Sequence, residues 1–278
     1  MAALLALTAA AAYGAGDFLG GIAARREAVT AVVLWSHLVG LMVMVLAAPL
    51  VGGELTTRAL LVGAASGLVG VTGLTLFYKA LALGTMSVVA PAAGLLSAAI
   101  PVLAGVTAGE RPSIVALVGI ALALGAIALV SREKPDEATS DTVHLQALGL
   151  AVLAGIGFGL FFVGLEHAGD GVGLWPLVGA RMATVTVFTA LGLAGLIASA
   201  PPRTAALAAI GAGVLDAGAN AFFLIALSHG LLSIVAVLTA LYPAGTVLLA
   251  RVVLQERMTR VQQTGLAVAG VATLLIVA

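Results

Sequence analysis

The chain has 278 residues, of which 62% are hydrophobic and only 9% are charged, and its formal net charge is zero. Soluble globular domains contain about 25% charged residues, so this chain has too few charges to cover a surface that faces water. The balanced charge predicts no nucleic-acid partner, and four histidines without any cysteine predict no metal site, no cofactor and no disulfide framework.

Ten apolar segments follow one another along the chain. A transmembrane helix needs about 20 apolar residues, and charges or clusters of glycine and proline interrupt the sequence at about this spacing. Strand-like alternation is absent, and a helix pairs its own backbone groups within lipid. The sequence therefore predicts an all-α membrane protein with ten transmembrane helices, at residues 2–23, 28–51, 58–82, 86–107, 113–131, 145–167, 174–198, 205–228, 231–252 and 261–277.

A hydrophilic segment divides these helices into two sets of five. We predict a first repeat at residues 1–131, a linker at 132–144 and a second repeat at 145–278. Because each repeat has an odd number of helices, the second enters the membrane from the opposite side. The expected architecture is therefore a pair of inverted five-helix repeats, as in many secondary transporters.

Sequence similarity between the two sets supports the repeat. Shifting the chain by 146 positions aligns residues 84–123 with 230–269, and 15 of the 40 aligned positions are identical. The pair Glu110-Arg111 matches Glu256-Arg257 in this alignment. We expect both pairs to fix hairpin ends at the membrane surface and to cap helix termini.

Several segments resemble the EamA group of the drug/metabolite transporter superfamily. They are GAGDFLGG at 14–21, YKALALGTMSVVAP at 78–91 leading into GERPS at 109–113, and ALSHGLLSIVAVLTALYPA at 226–244 leading into QERMT at 255–259. The resemblance covers the whole chain and implies two five-helix repeats around a central cavity. It also implies that helices four and nine border the cavity, that helices five and ten pack outside it, and that the protein exports or exchanges small metabolites.

Four charged residues fall well inside predicted helices: Asp17, Lys79, Arg181 and Asp216. A charge at the bilayer centre costs at least about 2.5–3.5 kcal/mol, so each side chain should face a partner or water rather than lipid. Their depths predict one cluster of Asp17 with Lys79 or His37, and a second cluster of Arg181 with Asp216. Such clusters either bind a substrate or proton, or form ion pairs that only hold helices together.

Asn220 lies one helical turn beyond Asp216, on the same face of its helix. Transport would be passive or driven by a gradient of protons or substrate. If it is coupled to a proton, the candidates are Asp17 and Asp216, the carboxylates well inside the predicted helices. A salt bridge to Lys79 or Arg181 would keep that carboxylate ionised and argue against coupling.

Aromatic residues and the polar groups above make up the predicted binding site. Trp175 either shapes the pocket or anchors its helix at the membrane surface. The predicted substrate contacts are Asp17, His37, Tyr78, Lys79, Phe162, Trp175, Arg181, Asp216, Asn220 and Tyr242.

Prolines and glycines predict local features of the helices. Pro91 and Pro101 in helix four, and Pro243 in helix nine, each remove a backbone hydrogen bond and predict kinks that act as hinges or fixed bends. Gly63 and Gly67 have the four-residue spacing that allows two membrane helices to approach closely.

These features predict a secondary transporter in the plasma membrane. It would move a small organic metabolite, amino-acid-like or drug-like, by alternating access, with export as the expected direction. No HExxH, GxSxG, P-loop or CxxC motif is present, so we predict no enzyme activity and no catalytic residue. Expected partners are the substrate, the lipid bilayer and, if transport is coupled, protons, with the chain acting as a monomer or homodimer. The alternatives are a facilitator for a sugar or an ion, a non-transporting integral-membrane enzyme and an assembly protein.

Overall fold

The computed structural model describes residues 1–130, 141–255 and 259–277, and all regular secondary structure in these ranges is α-helical. Residues 131–140, most of the predicted linker, lie outside the described ranges, as do Glu256 and Arg257. The helices are α1 (Ala2–Ala24), α2 (Val29–Val51), α3 (Thr57–Leu83), α4 (Met86–Thr107), α5 (Ile114–Val130), α6 (Asp141–Glu166), α7 (Trp175–Leu193), α8 (Ala206–Leu227), α9 (Leu232–Thr239), α10 (Tyr242–Val253) and α11 (Arg260–Val277).

Apolar side chains cover the outside of the helix bundle. Within the described residues, eight helical stretches are long and apolar enough to cross a membrane, counting α9 and α10 together as Leu232–Val253, while α5 and α11 are apolar but shorter. Leu46, Leu103 and Leu207 project outward and are 72%, 65% and 87% exposed. A surface of this kind is stable against lipid rather than water, so the chain is an integral membrane protein.

The ninth predicted span, 231–252, is present but consists of two helical segments. The helix is interrupted at residues 240–241, and Pro243 occupies the second position of α10. Proline has no N–H to donate to the carbonyl four residues earlier, and its ring clashes with that carbonyl, so it favours the start of a new helix. Pro91 and Pro101 lie within α4, which continues through both.

Helix α7 ends five residues before its predicted bound at residue 198. Its last residue is Leu193, and Gly195 follows with a φ of 71°. Glycine adopts this left-handed conformation at little cost, and such a residue commonly closes a helix. The amide of Leu196 donates to the carbonyl of Leu191 at 2.9 Å, which satisfies one terminal carbonyl. The apolar residues beyond Leu193 therefore belong to a loop.

Helices from the two halves of the chain pack against each other. The most extensive contacts join α1 to α8, α3 to α6 and α7, and α5 to α11. Helix α2 contacts α7 and α8, α4 lies against α6, and α1 also contacts α9 and α10. The two halves consequently share one core, and most of the buried polar side chains lie where they meet.

Two glycines let α3 and α7 approach closely, as their spacing predicts. A Cβ atom at Gly63 would overlap the carbonyl oxygen of Pro176, and one at Gly67 would overlap the backbone of Ala180. Close packing of this kind, rather than the hydrophobic effect, holds helices together within lipid. The contact fixes the position of α7, which carries Arg181.

We expect Gly67→Ala to destabilise the protein by about 1–3 kcal/mol, because the added methyl group overpacks a contact between two backbones. Gly149→Ala is the matched control, since an added Cβ at this position in α6 meets no atom outside its own helix within 4 Å. Thermal denaturation in detergent, followed by size-exclusion chromatography, measures the difference. Equal midpoints for the two variants would contradict the close approach of α3 and α7.

Glu110, in the loop between α4 and α5, caps a helix of the other half. Its carboxylate accepts hydrogen bonds from the backbone amides of Leu232 at 2.7 Å and Ser233 at 3.0 Å, the first two residues of α9. These amides have no partner within the helix, and a carboxylate also stabilises the positive end of the helix dipole. The predicted capping role of Glu110 is confirmed, although the capped helix lies outside its own hairpin.

Glu110→Ala should lower the free energy of unfolding by about 1–2 kcal/mol, because two amides at the start of α9 lose a charged acceptor. Glu54→Ala removes an exposed carboxylate from the α2–α3 loop and serves as the control. Unfolding in increasing concentrations of dodecyl sulfate, followed by circular dichroism, compares them. A cap at α9 is refuted if Glu110→Ala unfolds no earlier than Glu54→Ala.

Candidate functional site

A cavity of about 50 Å³ lies between helices of the two halves. One water molecule needs about 10–15 Å³ by this measure, so the cavity has room for a few waters. Its wall comes from α1, α2, α3, α6, α7, α8 and α10. Besides two tyrosines, the polar side chains on the wall are Asp17, His37, Arg181, Thr184, Asp216 and Asn220.

Arg181 is the centre of a buried hydrogen-bond network. Its Nη2 donates to Oδ2 of Asp216 in α8, and its Nη1 donates to Nε2 of His37 in α2 at 2.7 Å. Gly40 of α2 provides room for the side chain, since an added Cβ would lie 3.3 Å from Nε of Arg181. The Arg181 side chain is only 7% exposed, so loss of its counter-charge would leave a buried cation. The predicted cluster of Arg181 with Asp216 is confirmed.

The hydrogen bonds of His37 fix it as a neutral ring. Because Nε2 accepts from Arg181, the ring hydrogen lies on Nδ1, which donates to Oγ1 of Thr184 at 2.9 Å. The Thr184 hydroxyl then donates to the backbone carbonyl of Arg181 at 3.1 Å. Both ring nitrogens are therefore occupied by residues of α7. The prediction that His37 pairs with Asp17 is wrong.

Asp17 lines the same cavity without a counter-charge. The residue is 7% exposed, and among the described residues no ion pair or hydrogen bond reaches its carboxylate. The predicted cluster of Asp17 with Lys79 is consequently wrong. A carboxylate in an apolar, buried setting requires either a cation or a proton, because an isolated buried charge is costly.

Three further polar atoms in the cavity wall have no hydrogen-bond partner among the described residues. Nδ2 of Asn220 donates to the backbone carbonyl of Asp216 at 2.7 Å, one turn earlier in α8, but Oδ1 of Asn220 is buried and unsatisfied. The hydroxyls of Tyr13, one turn before Asp17 in α1, and of Tyr242 are buried and unsatisfied as well. Buried polar atoms in folded proteins are nearly always paired, so these atoms are available to water or a ligand.

Aromatic rings form much of the apolar wall. The ring of Tyr13 lies 6.1 Å from that of Phe162 and 6.2 Å from that of Tyr242, measured between centroids. Phe161 packs beside Phe162 at 5.7 Å, and Phe158 also lines the cavity. These rings come from α1, α6 and α10, so the wall is shared by both halves.

Two of the predicted contacts from α3 do not line the cavity. Tyr78 is buried, and its ring lies against Gly20 of α1, where an added Cβ would overlap it. Lys79 is exposed, four residues before the end of α3 at Leu83. Consecutive helical residues point about 100° apart, so a buried Tyr78 turns Lys79 outward.

Trp175, also predicted as a substrate contact, lies at the first position of α7 and outside the cavity wall. Its indole N–H donates to the carbonyl of Gly53 in the α2–α3 loop at 3.2 Å. Its ring packs against a small apolar cluster of Ala59, Ala168 and Val172. This position fits the anchoring role that the sequence left open.

Helix four, which the family resemblance implied would border the cavity, is absent from its wall among the described residues, whereas α3 lines it. Within the described residues, α4 contributes nothing to the wall, α10 contributes Tyr242, and α5 and α11 contribute nothing. The wall residues from α3 are Gly67, Gly70, Val71 and Leu74. Sequence reasoning missed these small or apolar residues because they carry no chemical signal. It also missed Thr184, whose three-residue spacing from Arg181 on one helix face was an available signal.

We expect Asp216→Asn to destabilise the protein by about 3–5 kcal/mol, because it leaves the buried guanidinium of Arg181 without a counter-charge. The double variant Arg181→Met/Asp216→Leu should be less destabilised, since no uncompensated charge remains. Unfolding in dodecyl sulfate measures both. A double variant that is less stable than Asp216→Asn alone would contradict a buried ion pair.

Comparison with known proteins identifies a solved structure with a similar fold and a family whose sequence pattern matches this chain. No curated protein shows significant sequence similarity to it. One solved structure, described only as the crystal structure of a protein, has a TM-score of 0.75 and 16% sequence identity, over 99% of this chain and 95% of that chain, and thus shares its fold. The pattern of the EamA-like transporter family matches residues 1–132 and again residues 145–278. These two matches leave only the linker uncovered, and the chain belongs to the EamA-like transporter family.

Proposed function

We propose that the protein is a secondary transporter that moves a small organic metabolite, amino-acid-like or drug-like, out of the cell by alternating access. The observation that carries this proposal is a cavity with charged, polar and aromatic walls inside a bundle whose outer surface is apolar. Polar groups at membrane depth are costly, so a core that only holds helices together would not leave several of them unpaired. Membership of a transporter family supports the same conclusion.

The pairing of helices supports two inverted five-helix repeats. The helices at equivalent positions in the two repeats are α1 and α6, α2 and α7, and α3 and α8. The contact of α1 with α8 in one direction therefore corresponds to the contact of α6 with α3 in the other. The contact of α2 with α8 becomes that of α7 with α3, and the fifth helices, α5 and α11, pack on each other. Reciprocal contacts of this kind are expected for repeats related by a two-fold axis in the membrane plane.

Hydrogen bonds join the two repeats at opposite faces of the membrane. Trp35, near the start of α2, donates to the carbonyl of Ser199 at 3.1 Å, and Trp175 donates to that of Gly53, just beyond the end of α2. Helix α2 has 23 residues and a length of about 33 Å, so these contacts lie on opposite faces. Gly53 and Ser199 are separated by 146 positions, the offset of the repeat. Opening one contact while the other holds would expose the cavity to one side at a time.

Asp17 is the residue that we assign to proton coupling. The alternative candidate, Asp216, is already engaged in its ion pair with Arg181. Asp17 has no such partner, so it can exchange a proton for a substrate group. The ionisable groups around it are Tyr13, His37, Tyr78, Arg181, Asp216 and Tyr242. Since Arg181 is paired and His37 is neutral, none of these groups supplies a free counter-charge.

The proposed location is the plasma membrane, where the chain would be a multi-pass protein. The chain would act as a monomer or a homodimer. The geometry of the described residues offers no support for the sugar, ion, enzyme or assembly alternatives over this function.

Purified protein in liposomes should transport at least one member of a panel of amino acids, nucleobases and cationic drugs. Asp17→Asn should slow this flux by about tenfold or more, which corresponds to about 1.4 kcal/mol, and should remove its response to an imposed pH gradient. Radiolabelled uptake with and without the gradient measures both effects.

Asp170→Asn is the control for this experiment, because it changes an exposed loop carboxylate and should transport like the wild type. Absence of flux for the entire panel with wild-type protein would overturn the transport function. An unchanged response to the pH gradient in Asp17→Asn would overturn the coupling role alone.

A further inference from the structure

The charges on the cavity wall indicate the chemical class of the substrate, an inference that rests on the proposed transport function. Three formally charged side chains line the cavity: Asp17, Arg181 and Asp216. Arg181 and Asp216 neutralise each other, and His37 is held neutral by its hydrogen bonds. When Asp17 has released its proton, its negative charge is the one left uncompensated, so the site is then complementary to a cation.

An anionic ligand finds no available cation in the cavity wall. Nη1 of Arg181 is used by His37, and its Nη2 is used by Asp216. A ligand carboxylate or phosphate would have to share the guanidinium with Asp216, so two anions would face one cation. One of the two would remain uncompensated in the same cavity as Asp17, at a high cost in a low-dielectric setting.

The unsatisfied atoms of the site favour a ligand with several N–H donors. The carboxylate of Asp17 accepts hydrogen bonds only, and Oδ1 of Asn220 is a buried acceptor without a partner. The buried hydroxyl of Tyr13 is also unsatisfied and can accept. The hydroxyl of Tyr242, in the same wall, is unsatisfied too. A primary ammonium group has three donors and no acceptor, so its polarity matches these acceptors.

The apolar part of the wall suits the same ligand. Phe158, Phe161 and Phe162 face the cavity from α6, and Tyr242 faces it from α10. Aromatic faces attract cations within about 6 Å of the ring centroid and also bury apolar groups.

The geometry points to a small primary organic ammonium ion as the substrate. Its N–H groups donate to Asp17, to Oδ1 of Asn220 and to the Tyr13 hydroxyl, while its apolar body packs against the phenylalanine rings of α6. The paired Arg181 and Asp216 hold the helices in place and do not contact the charge of the substrate.

Four ligands that share a phenyl ring distinguish the contribution of charge to binding from that of hydrogen bonding. They are benzylamine, benzoate, benzyl alcohol and trimethylbenzylammonium. Isothermal titration of the full chain in lipid nanodiscs measures their binding. We expect benzylamine to bind most tightly, trimethylbenzylammonium to bind more weakly because it has no N–H group, and benzoate not to bind. Asp17→Asn should weaken benzylamine binding by about tenfold or more and leave benzyl alcohol unchanged. Asp170→Asn should bind all four ligands like the wild type.

Tyr13→Phe provides a second variant if Asp17→Asn fails to fold. Loss of one hydrogen bond should weaken benzylamine binding by roughly threefold and leave trimethylbenzylammonium unchanged, a difference that altered packing alone would not produce. The proposal is overturned if benzoate binds as tightly as benzylamine, if none of the four ligands binds, or if neither variant changes benzylamine binding.

The outcomes also separate this inference from the proposed function. Flux of a neutral or anionic solute in liposomes, without binding of benzylamine, would uphold transport and overturn the ammonium substrate. Binding of benzylamine that depends on Asp17, without flux of any solute, would uphold the ammonium site and overturn transport.

Discussion

The exclusion of uncompensated charge from the hydrocarbon layer governs the centre of this protein. Arg181 can lie buried within α7 because Asp216 of α8 and His37 of α2 meet its guanidinium. Three helices must therefore come together around one side chain. Gly40 gives that side chain room, and Gly67 brings α7 against α3. The polar network and the glycine contacts depend on each other, since neither forms unless the helices are at the right distance.

The same constraint implies different roles for Asp17 and Asp216. Both carboxylates line one cavity, but Asp216 is compensated within the protein and Asp17 is not. A protein that needed only stability would replace Asp17 with an apolar residue or pair it with a cation. Retention of an unpaired carboxylate at membrane depth is expected where a ligand or proton completes the site. This asymmetry is the reason that we propose Asp17, rather than Asp216, as a binding residue.

Hydrogen bonds at the helix ends also connect the two halves of the chain. Glu110 of the first half caps α9 of the second half, and the two tryptophans each donate to a loop carbonyl of the opposite half. Each contact satisfies a backbone group that would otherwise be unpaired near lipid. They lie near the ends of helices, so a rearrangement of the halves would break hydrogen bonds to loops and helix ends and leave the helices intact.

The sequence by itself determined the membrane spans, because length and apolar composition are sufficient to identify a helix that crosses lipid. It also identified Arg181 and Asp216 as partners and Asp17 as a costly charge, since an ionisable residue in an apolar segment is conspicuous. Only the tertiary structure decided which way each side chain points. It turned Lys79 outward, joined His37 to Arg181 and, within the described residues, left α4 out of the cavity wall. The reason is that these helices are apolar on every side, so their hydrophobic pattern does not mark an inner face. Contacts with neighbouring helices set the rotation of each one, and those contacts exist only in the folded bundle.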